Sequence, residues 1–397
     1  MDADVAIGPA RVLTLQGGVR RGKNIDLGVM DPGWVGVRDG KIVYVGTERI
    51  EAKRIIPAEG KVLMPGFIDP HTHLVFAGSR VDEFEMKIKG KSYMEIREAG
   101  GGIMSTVRKT READKEELKK LAKERLKRML SYGVTTVEVK TGYGLTREDE
   151  LKMLDVICEL QEEFNVVPTF LGAHDFPPEY SREEWIQEVI SMIPEVKDKA
   201  KFADVFCEDG VFTKEESRKI LMEAKKHGLG IKIHADEIKS SGGTELAGEL
   251  GAISCDHVVY PSEKGLKLIK KCGTIIVLLP GTSFFLGGDR PPVERMREEG
   301  IPLAVGTDFN PGSSPILSLP LVMGIGQVHY RLTPEEVIAG VTINAAYATG
   351  VQERKGSIEQ GKDADLVLLK YRDEREIGYW IGENPCELVM KGGETVG

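Results

Sequence analysis

Apolar and polar positions change rhythm twice along the chain. Over the first 64 residues the apolar runs are short and strand-like: "ARVLTL" at residues 10–15, then "WVGVRDGKIVYVG" at 34–46, which reads as a hairpin turning at Asp39-Gly40. The last residues return to this style, with "ADLVLLKY" and with "CELVMKGGETV", whose Gly392-Gly393 is a turn signal. Between these ends, strand-like and helical patterns alternate. Eight apolar runs read as strands: "GFIDPHTH", "VTTVEVKTG", "VVPTFLGAHD", "ADVFCEDG", "IKIHADE", "ISCDHVVY", "TIIVLLPG" and "PLAVGTDFN". In "KEELKKLAKERLKRMLSYG", Leu118, Leu121, Ala122, Leu126, Met129 and Leu130 recur at spacings of three and four and so share one helical face. "EDELKMLDVICELQEEF" and "EEWIQEVISMI" repeat that pattern, and Thr333-Pro334-Glu335-Glu336 predicts a helix start with a cap, a first-turn proline and a capping-box glutamate.

Eight strands alternating with helices predict an α/β protein, a (β/α)8 TIM-like barrel over 65–350, with a small β-sandwich domain formed from both termini, 1–64 plus 351–397. A doubly wound open sheet would alternate in the same way, but no glycine-rich phosphate fingerprint supports it. A chain of 397 residues is long enough for a barrel and an accessory domain.

Composition narrows the function more than the fold. Charged residues make up 29% and the net charge is −9, a balance that argues against nucleic acid as the main partner. No run reaches the length of a membrane span, and "MDADVAIGPARVLTL" has no long apolar core, so neither a membrane partner nor a signal peptide is expected. The five cysteines are scattered, with no CxxC pair, which predicts free thiols in a reducing cytoplasm.

The candidate chemistry sits on histidines. Of the seven, His71, His73, His174, His234 and His257 fall at the ends of predicted strands one, three, five and six, where a barrel carries its functional side chains; His227 and His329 read as surface or structural. His71 and His73 are two apart on a strand, so both imidazoles leave one face, the geometry for two ligands on one ion. Taken alone, that pair could equally be two solvated strand-end histidines. His234 adds a third nitrogen and Asp308, in "VGTDFN", a carboxylate, with Ala304 and Gly306 leaving room behind it. Three nitrogens and one oxygen suit Zn²⁺, and also Fe or Mn. Glu237 and His257 are then candidates for moving protons, with Asp308 as a second possible acceptor for the proton of water. Strand alternation would turn Glu237 away, so its use requires the strand to have ended by that point.

This constellation resembles the amidohydrolase superfamily: His-x-His after strand one, His at strands five and six, Asp at strand eight, with paired terminal β segments. The resemblance covers nearly the whole chain. Binuclear members carry a carboxylated lysine at strand four, whereas here that strand reads "DVFCEDGVF" and Lys140 belongs to strand two, so the resemblance implies one metal ion per subunit, Zn or Fe. The finer motifs "HTHLVFAGSR", "EVKTGYGL", "GAHDFP", "IHADE", "CDHV" and "GTDFNPGSSP" are similar to the branch that opens the ring amide of 4-imidazolone-5-propanoate to N-formimidoyl-L-glutamate in histidine degradation. Under that resemblance Arg80 is the fork for the substrate carboxylate, opening a substrate-covering loop, while Tyr143 and His174 donate hydrogen bonds to substrate. Asn310, Gly312 and Ser313 offer donors to the new carboxylate of the product, and Glu237 holds a ring nitrogen. Tyr93 and the glycine run at 100–102 are expected to close over the site, and a homodimer is implied because relatives tend to be dimers.

Two other classes fit parts of the pattern. A mononuclear deaminase of a cytosine- or guanine-like ring shares the metal ligands but has no need of Arg80. A barrel that serves only as an assembly scaffold would have lost ligands that are all present here. Glu138 and Lys232 fall on inward-facing strand positions and have no role in any of these readings.

Overall fold

A computed structural model describes residues 3–91, 95 and 99–396; Tyr93, expected to close over the site, lies outside the described residues. Eight parallel strands follow one another in order: β6 (Phe67–Asp69), β7 (Val134–Lys140), β8 (Asn165–Ala173), β9 (Phe202–Cys207), β10 (Gly230–Ala235), β11 (Ser254–His257), β12 (Ile275–Leu278) and β13 (Leu303–Val305). Each coincides with one of the eight runs read from the sequence, with β8, β9 and β10 beginning one residue earlier, at Asn165, Phe202 and Gly230. The seam between β6 and β13 closes just beyond the strands. There the Asp308 N–H donates to the His71 carbonyl, and the His73 N–H to the Phe309 carbonyl, both at 3.0 Å. The Asp69 carboxylate adds a clasp, accepting from the Thr307 hydroxyl at 2.6 Å and the Thr307 N–H at 3.1 Å. The barrel is thus tied shut by the same residues that carry the histidine pair and Asp308.

Helices cover the outside by the periodicity that predicted them. In Lys115–Ser131 the buried positions are Leu118, Ala122, Leu126 and Met129, and the Asp114 side chain caps the first turn by accepting from the Glu117 N–H. The capping box at Thr333 and Glu336 forms as expected at the start of Pro334–Gly340. Ahead of the predicted helix Lys115–Ser131, the connection after β6 differs from the expected covering loop: it contains the helices Val81–Ile88 and Ile103–Glu112, and Arg80 is the N-cap residue of the first.

The termini build a second, mixed sheet of β1 (Ala3–Leu13), β2 (Val29–Arg38), β3 (Lys41–Gly46), β4 (Ala52–Ile56), β5 (Val62–Pro65), β14 (Leu366–Leu369), β15 (Cys386–Lys391) and β16 (Glu394–Val396). The eleven-residue β1 holds it together, pairing antiparallel to β2 along one edge and parallel to β4 and then β5 along the other. Asp39 and Gly40 take positive φ at the predicted hairpin. This sheet has its own apolar core, including Ile7, Val35, Leu63, Leu366 and Met390.

Candidate metal centre and substrate cavity

Along β7, β9, β10 and β11 the barrel interior carries charged side chains in place of the aliphatic layers usual for this architecture, while Val277 and Ala304 keep it apolar on β12 and β13. Alternation along β7 turns Glu138 and Lys140 inward, β9 contributes Asp204, β10 Lys232 and β11 Asp256, and all five are buried. Burying ions costs several kcal/mol each unless they are paired, and here they pair: the Lys140 ammonium lies 2.8 Å from both Glu138 and Asp204. Burial opposes the charge on Lys140, but the surrounding Asp204, Glu138 and Asp256 outweigh it and raise its pKa above the ordinary lysine value.

Above this floor the histidines converge. Pro70 ends β6 by offering no N–H to the ladder, and His71 and His73 follow it. His71 Nε2 and His73 Nε2 lie 3.5 and 3.4 Å from Asp308 Oδ1, and His234 Nε2 lies 3.3 Å from His73 Nε2. Bonds of about 2.0–2.2 Å to one ion would set tetrahedral donors about 3.3–3.6 Å apart, so these three separations fit a shared ion; His71, His73 and Asp308 form one mutually close group of ligand atoms, and His234 forms a second with His71 and His257. His71 Nε2 is buried with no hydrogen-bond partner, as expected of an atom kept for an ion. Its other nitrogen, Nδ1, lies 2.6 Å from Asp256 Oδ2, and His234 Nδ1 lies 3.0 Å from Asp204 Oδ2. Asp308 is fixed in turn by the Thr282 hydroxyl, which donates to its Oδ2 at 2.6 Å and leaves Oδ1 toward the histidines. His257 is also within ligating reach of His71 and His234. Burial, chiefly, lowers the His257 pKa to about 3 and keeps the ring neutral.

Three strand ends are bent to aim these groups. Asp236, His257 and Asp308 all take positive φ, at 49°, 71° and 50°, a region that non-glycine residues occupy at a cost. The bend at Asp236 turns Glu237 into the site, so the strand has ended where the sequence reading required. The bend at His257 lets Asp256 face the floor while His257 faces the cavity, which straight alternation forbids. Behind Asp308, a Cβ on Gly306 would stand 3.3 Å from both His71 and Asp69, so the space expected there is used for close approach of the seam.

A cavity of about 380 Å³ opens over the centre. His73, His234 and Asp308 form its base, and Arg80, Tyr143, His174, Glu237, His257, Asn310, Gly312 and Ser313 line it, so twelve sequence-named residues meet at one place once His71, just beneath, is counted. Buried carboxylates pin the lining loops. Glu150 accepts from the N–H groups of Gly142, Gly144 and Leu145 and so presents Tyr143, while Glu208 accepts from the Ile238 N–H beside Glu237. Burial, together with the nearby Asp308 charge, pushes the Glu237 carboxyl up to about 8, a shift toward the protonated form.

Three expected contacts differ in detail. The Arg80 fork is not free: Nε and Nη2 donate to the two oxygens of Glu83 at 3.0 and 2.7 Å, leaving Nη1 as the hand that can reach a ligand. The turn at Asn310 spends its donors internally, because Asn310 Oδ1 accepts from the N–H groups of Gly312 and Ser313, both at 2.8 Å. These residues shape the cavity wall rather than offering free amides. His174 was expected to donate. Burial lowers its pKa and keeps it neutral, and its Nδ1 gives its proton to the Gly142 carbonyl at 2.9 Å, so Nε2 enters the cavity as an acceptor. Its ring stacks on His73 with centroids 4.9 Å apart.

Sequence reading missed Asp204, Asp256, Thr282 and the cavity-lining Lys87 and Phe206 as parts of the site. The first two become readable only once the strand register is known. His234 pairs in register with Asp256 on one side and Phe206 on the other, so counting inward positions across neighbouring strands from His234 leads to both aspartates.

A sequence profile described as "Amidohydrolase family" matches residues 62–396. A protein named imidazolonepropionase from Geobacillus thermodenitrificans (strain NG80-2) is 48% identical over 392 residues, 95% of this chain and 92% of that protein. One of the same name from Bacillus velezensis (strain DSM 23117 / BGSC 10A6 / LMG 26770 / FZB42) is 46% identical over 399 residues, 97% of this chain and 95% of the other. Among solved structures, an adenosine deaminase from Xanthomonas campestris with bound zinc superposes with TM-score 0.70 at 18% identity, covering 99% of this chain and 93% of that one. The structure of A. niger ochratoxinase gives TM-score 0.70 at 18% identity, covering 98% of this chain and 95% of that one. At these identities the two structures speak for the fold alone.

Proposed function

The chain belongs to the amidohydrolase family and, within it, to the imidazolonepropionases, and from that premise we propose how its cavity hydrolyses the ring amide of 4-imidazolone-5-propanoate to N-formimidoyl-L-glutamate. It is a hydrolase of a cyclic amide C–N bond, acting in histidine degradation. The observation that supports the residue assignments is the convergence of His71, His73, His234, Asp308 and one arginine hand on a single cavity.

His71, His73, His234 and Asp308 would hold one ion, and Zn²⁺ suits three imidazoles and a carboxylate; iron is the alternative that metal analysis separates. Such an ion supplies Lewis acidity, polarising a carbonyl and making water acidic enough to act near neutral pH. Arg80 Nη1 takes the propionate. Tyr143 donates its hydroxyl proton to substrate, and His174 Nε2 accepts from a ring N–H. Water adds to the ring carbonyl carbon, and Asp308 and His257 are the two groups that can take its proton. As the C–N bond breaks, the protonated Glu237 carboxyl gives its proton to the departing nitrogen, and the former carbonyl leaves as a carboxylate. The catalytic barrel would span 65–350, with 1–64 plus 351–397 as the accessory domain. A cytoplasmic homodimer completes the proposal. The cysteines, all unpaired, support the reducing compartment, and equilibrium sedimentation tests the dimer.

The deciding experiment is turnover of 4-imidazolone-5-propanoate, followed by ultraviolet absorbance, with metal content measured in the same preparation. Loss of absorbance without ammonia release is the expected result. Ammonia release from a nucleobase, with imidazolonepropanoate untouched, would overturn the reading in favour of a deaminase.

A further inference from the structure

The floor of the barrel contains an ion that touches neither the cavity nor the metal donors. Lys140 is fully buried, and its ammonium sits between three carboxylates: 2.8 Å from Glu138 Oε1, 2.8 Å from Asp204 Oδ2 and 3.7 Å from Asp256 Oδ2. The same two aspartate oxygens face the metal donors, Asp204 Oδ2 at 3.0 Å from His234 Nδ1 and Asp256 Oδ2 at 2.6 Å from His71 Nδ1. Ser254 donates to the remaining oxygen of Asp256 at 2.6 Å. Lys232 also faces this cluster, 2.9 Å from the Pro70 carbonyl, 3.4 Å from Glu138 and 4.0 Å from Asp256, but among the described residues Lys140 is the lysine that pairs with both Asp204 and Asp256.

We propose that Lys140 is a positioning residue for the metal centre, holding Asp204 and Asp256 so that each fixes the ring orientation and tautomer of one histidine ligand. The physical chain is short. A neutral imidazole has one N–H, and whichever nitrogen gives it to a partner leaves the other as a lone-pair donor. His71 Nδ1 is hydrogen-bonded to Asp256, and the Asp204 carboxylate 3.0 Å from His234 Nδ1 draws that ring's proton to the same nitrogen without forming an aligned hydrogen bond, so both Nε2 lone pairs are left for the ion. Two carboxylates facing one small buried volume repel each other strongly in a low dielectric. The ammonium between them offsets that repulsion and fixes where their oxygens stand. The inward-facing Glu138 and Lys232 then have a place: Glu138 is a further carboxylate on Lys140, and Lys232 ties the floor to the backbone just before His71.

This inference rests on His71 and His234 being ligands, so its test separates the two ideas. Zn²⁺ affinity of metal-stripped protein would be measured by competition with a chromophoric chelator, for wild type, Lys140→Met, Asp256→Asn and the double variant, each checked for folding by circular dichroism. Lys140→Met keeps the length and loses the charge. Its Zn²⁺ affinity is expected to fall about 10- to 100-fold, the usual cost of disturbing groups that orient metal ligands. The double variant should lose less than the product of the single losses, because both changes break one chain. Unchanged affinity in folded Lys140→Met, or independent losses in the double variant, would overturn the proposal. Should Lys140→Met not fold, histidine ¹H–¹⁵N spectra of the stripped wild type decide the matter. Nδ1–H tautomers at His71 and His234 support it, and Nε2–H tautomers at those residues overturn it. A wild type that takes up no Zn²⁺ sinks the metal reading itself.

Discussion

The floor and the mouth of the barrel are built on opposite plans. The floor groups, Glu138, Lys140, Asp204, Lys232 and Asp256, sit on strands, are buried, and bond one another. The mouth groups, Arg80, Tyr143, His174 and the turn at Asn310, sit in connections and are held by local partners, Glu83 for Arg80 and Glu150 for the loop of Tyr143. Strand positions cannot move without disturbing the whole ladder, whereas a connection can change its contents and leave the barrel intact. A fixed floor with a replaceable mouth separates the chemistry from the choice of substrate. Damage to the floor should therefore lower metal affinity and kcat, and damage to the mouth should raise KM.

The largest effect expected is at the boundary the two plans share. Stripping the metal with a chelator should lower turnover by about 10³-fold or more, since Lewis-acid stabilisation is worth several kcal/mol, and added Zn²⁺ should restore it. Retained turnover in protein shown by elemental analysis to be metal-free would end the distinction between floor and mouth. Next comes Arg80→Ala at the mouth. A charge-assisted hydrogen bond is worth about 1.5–3 kcal/mol, so KM should rise about 10- to 100-fold with kcat little changed. A fall in kcat at constant KM would move Arg80 into the chemistry. Thr282→Val then probes the floor's upper edge: losing the 2.6 Å bond to Asp308 should cost about tenfold in kcat, with KM steady.

The same contrast explains what could be read from the sequence. The eight strand runs were legible because apolar periodicity survives any tertiary context. His71 and His73 were legible because a spacing of two on an extended segment fixes a shared face. The aspartates of the floor were harder, since each needs the register of two neighbouring strands before its partner is known. Asp256 beside His257 was hidden by a further step, the 71° φ that lets adjacent residues both serve the site; no local pattern announces it. The partner of Arg80 was hidden because "VDEFEMKI" was taken for a covering loop. As the helix Val81–Ile88 it places Glu83 three residues along, on the same face as Arg80.

The smallest predicted effect is the most discriminating for the mouth, because it adds one methyl group and removes nothing. Gly312 does not have the positive φ that favours glycine, so alanine meets no backbone objection there. A Cβ at that position would nevertheless fall 2.0 Å from Arg80 Nη1 and 2.8 Å from its Cζ. The guanidinium cannot simply swing aside, since Nε and Nη2 are both bonded to Glu83. Gly312→Ala should therefore shift the one free hand of Arg80 and raise KM several-fold, up to about tenfold, with kcat and thermal stability near wild type. Adding Glu83→Gln weakens the fork's tether and lets the arginine adjust around the methyl, so the double variant should have a smaller KM rise than the two single changes multiplied, a coupling on the order of 0.5 kcal/mol or more. If Gly312→Ala binds substrate like the wild type, Nη1 is not the contact. Arg80 would then belong with the structural pairs of the connection, and the substrate carboxylate would have to be held by another cation at the mouth. Lys87 lines the same cavity and is the group to substitute next.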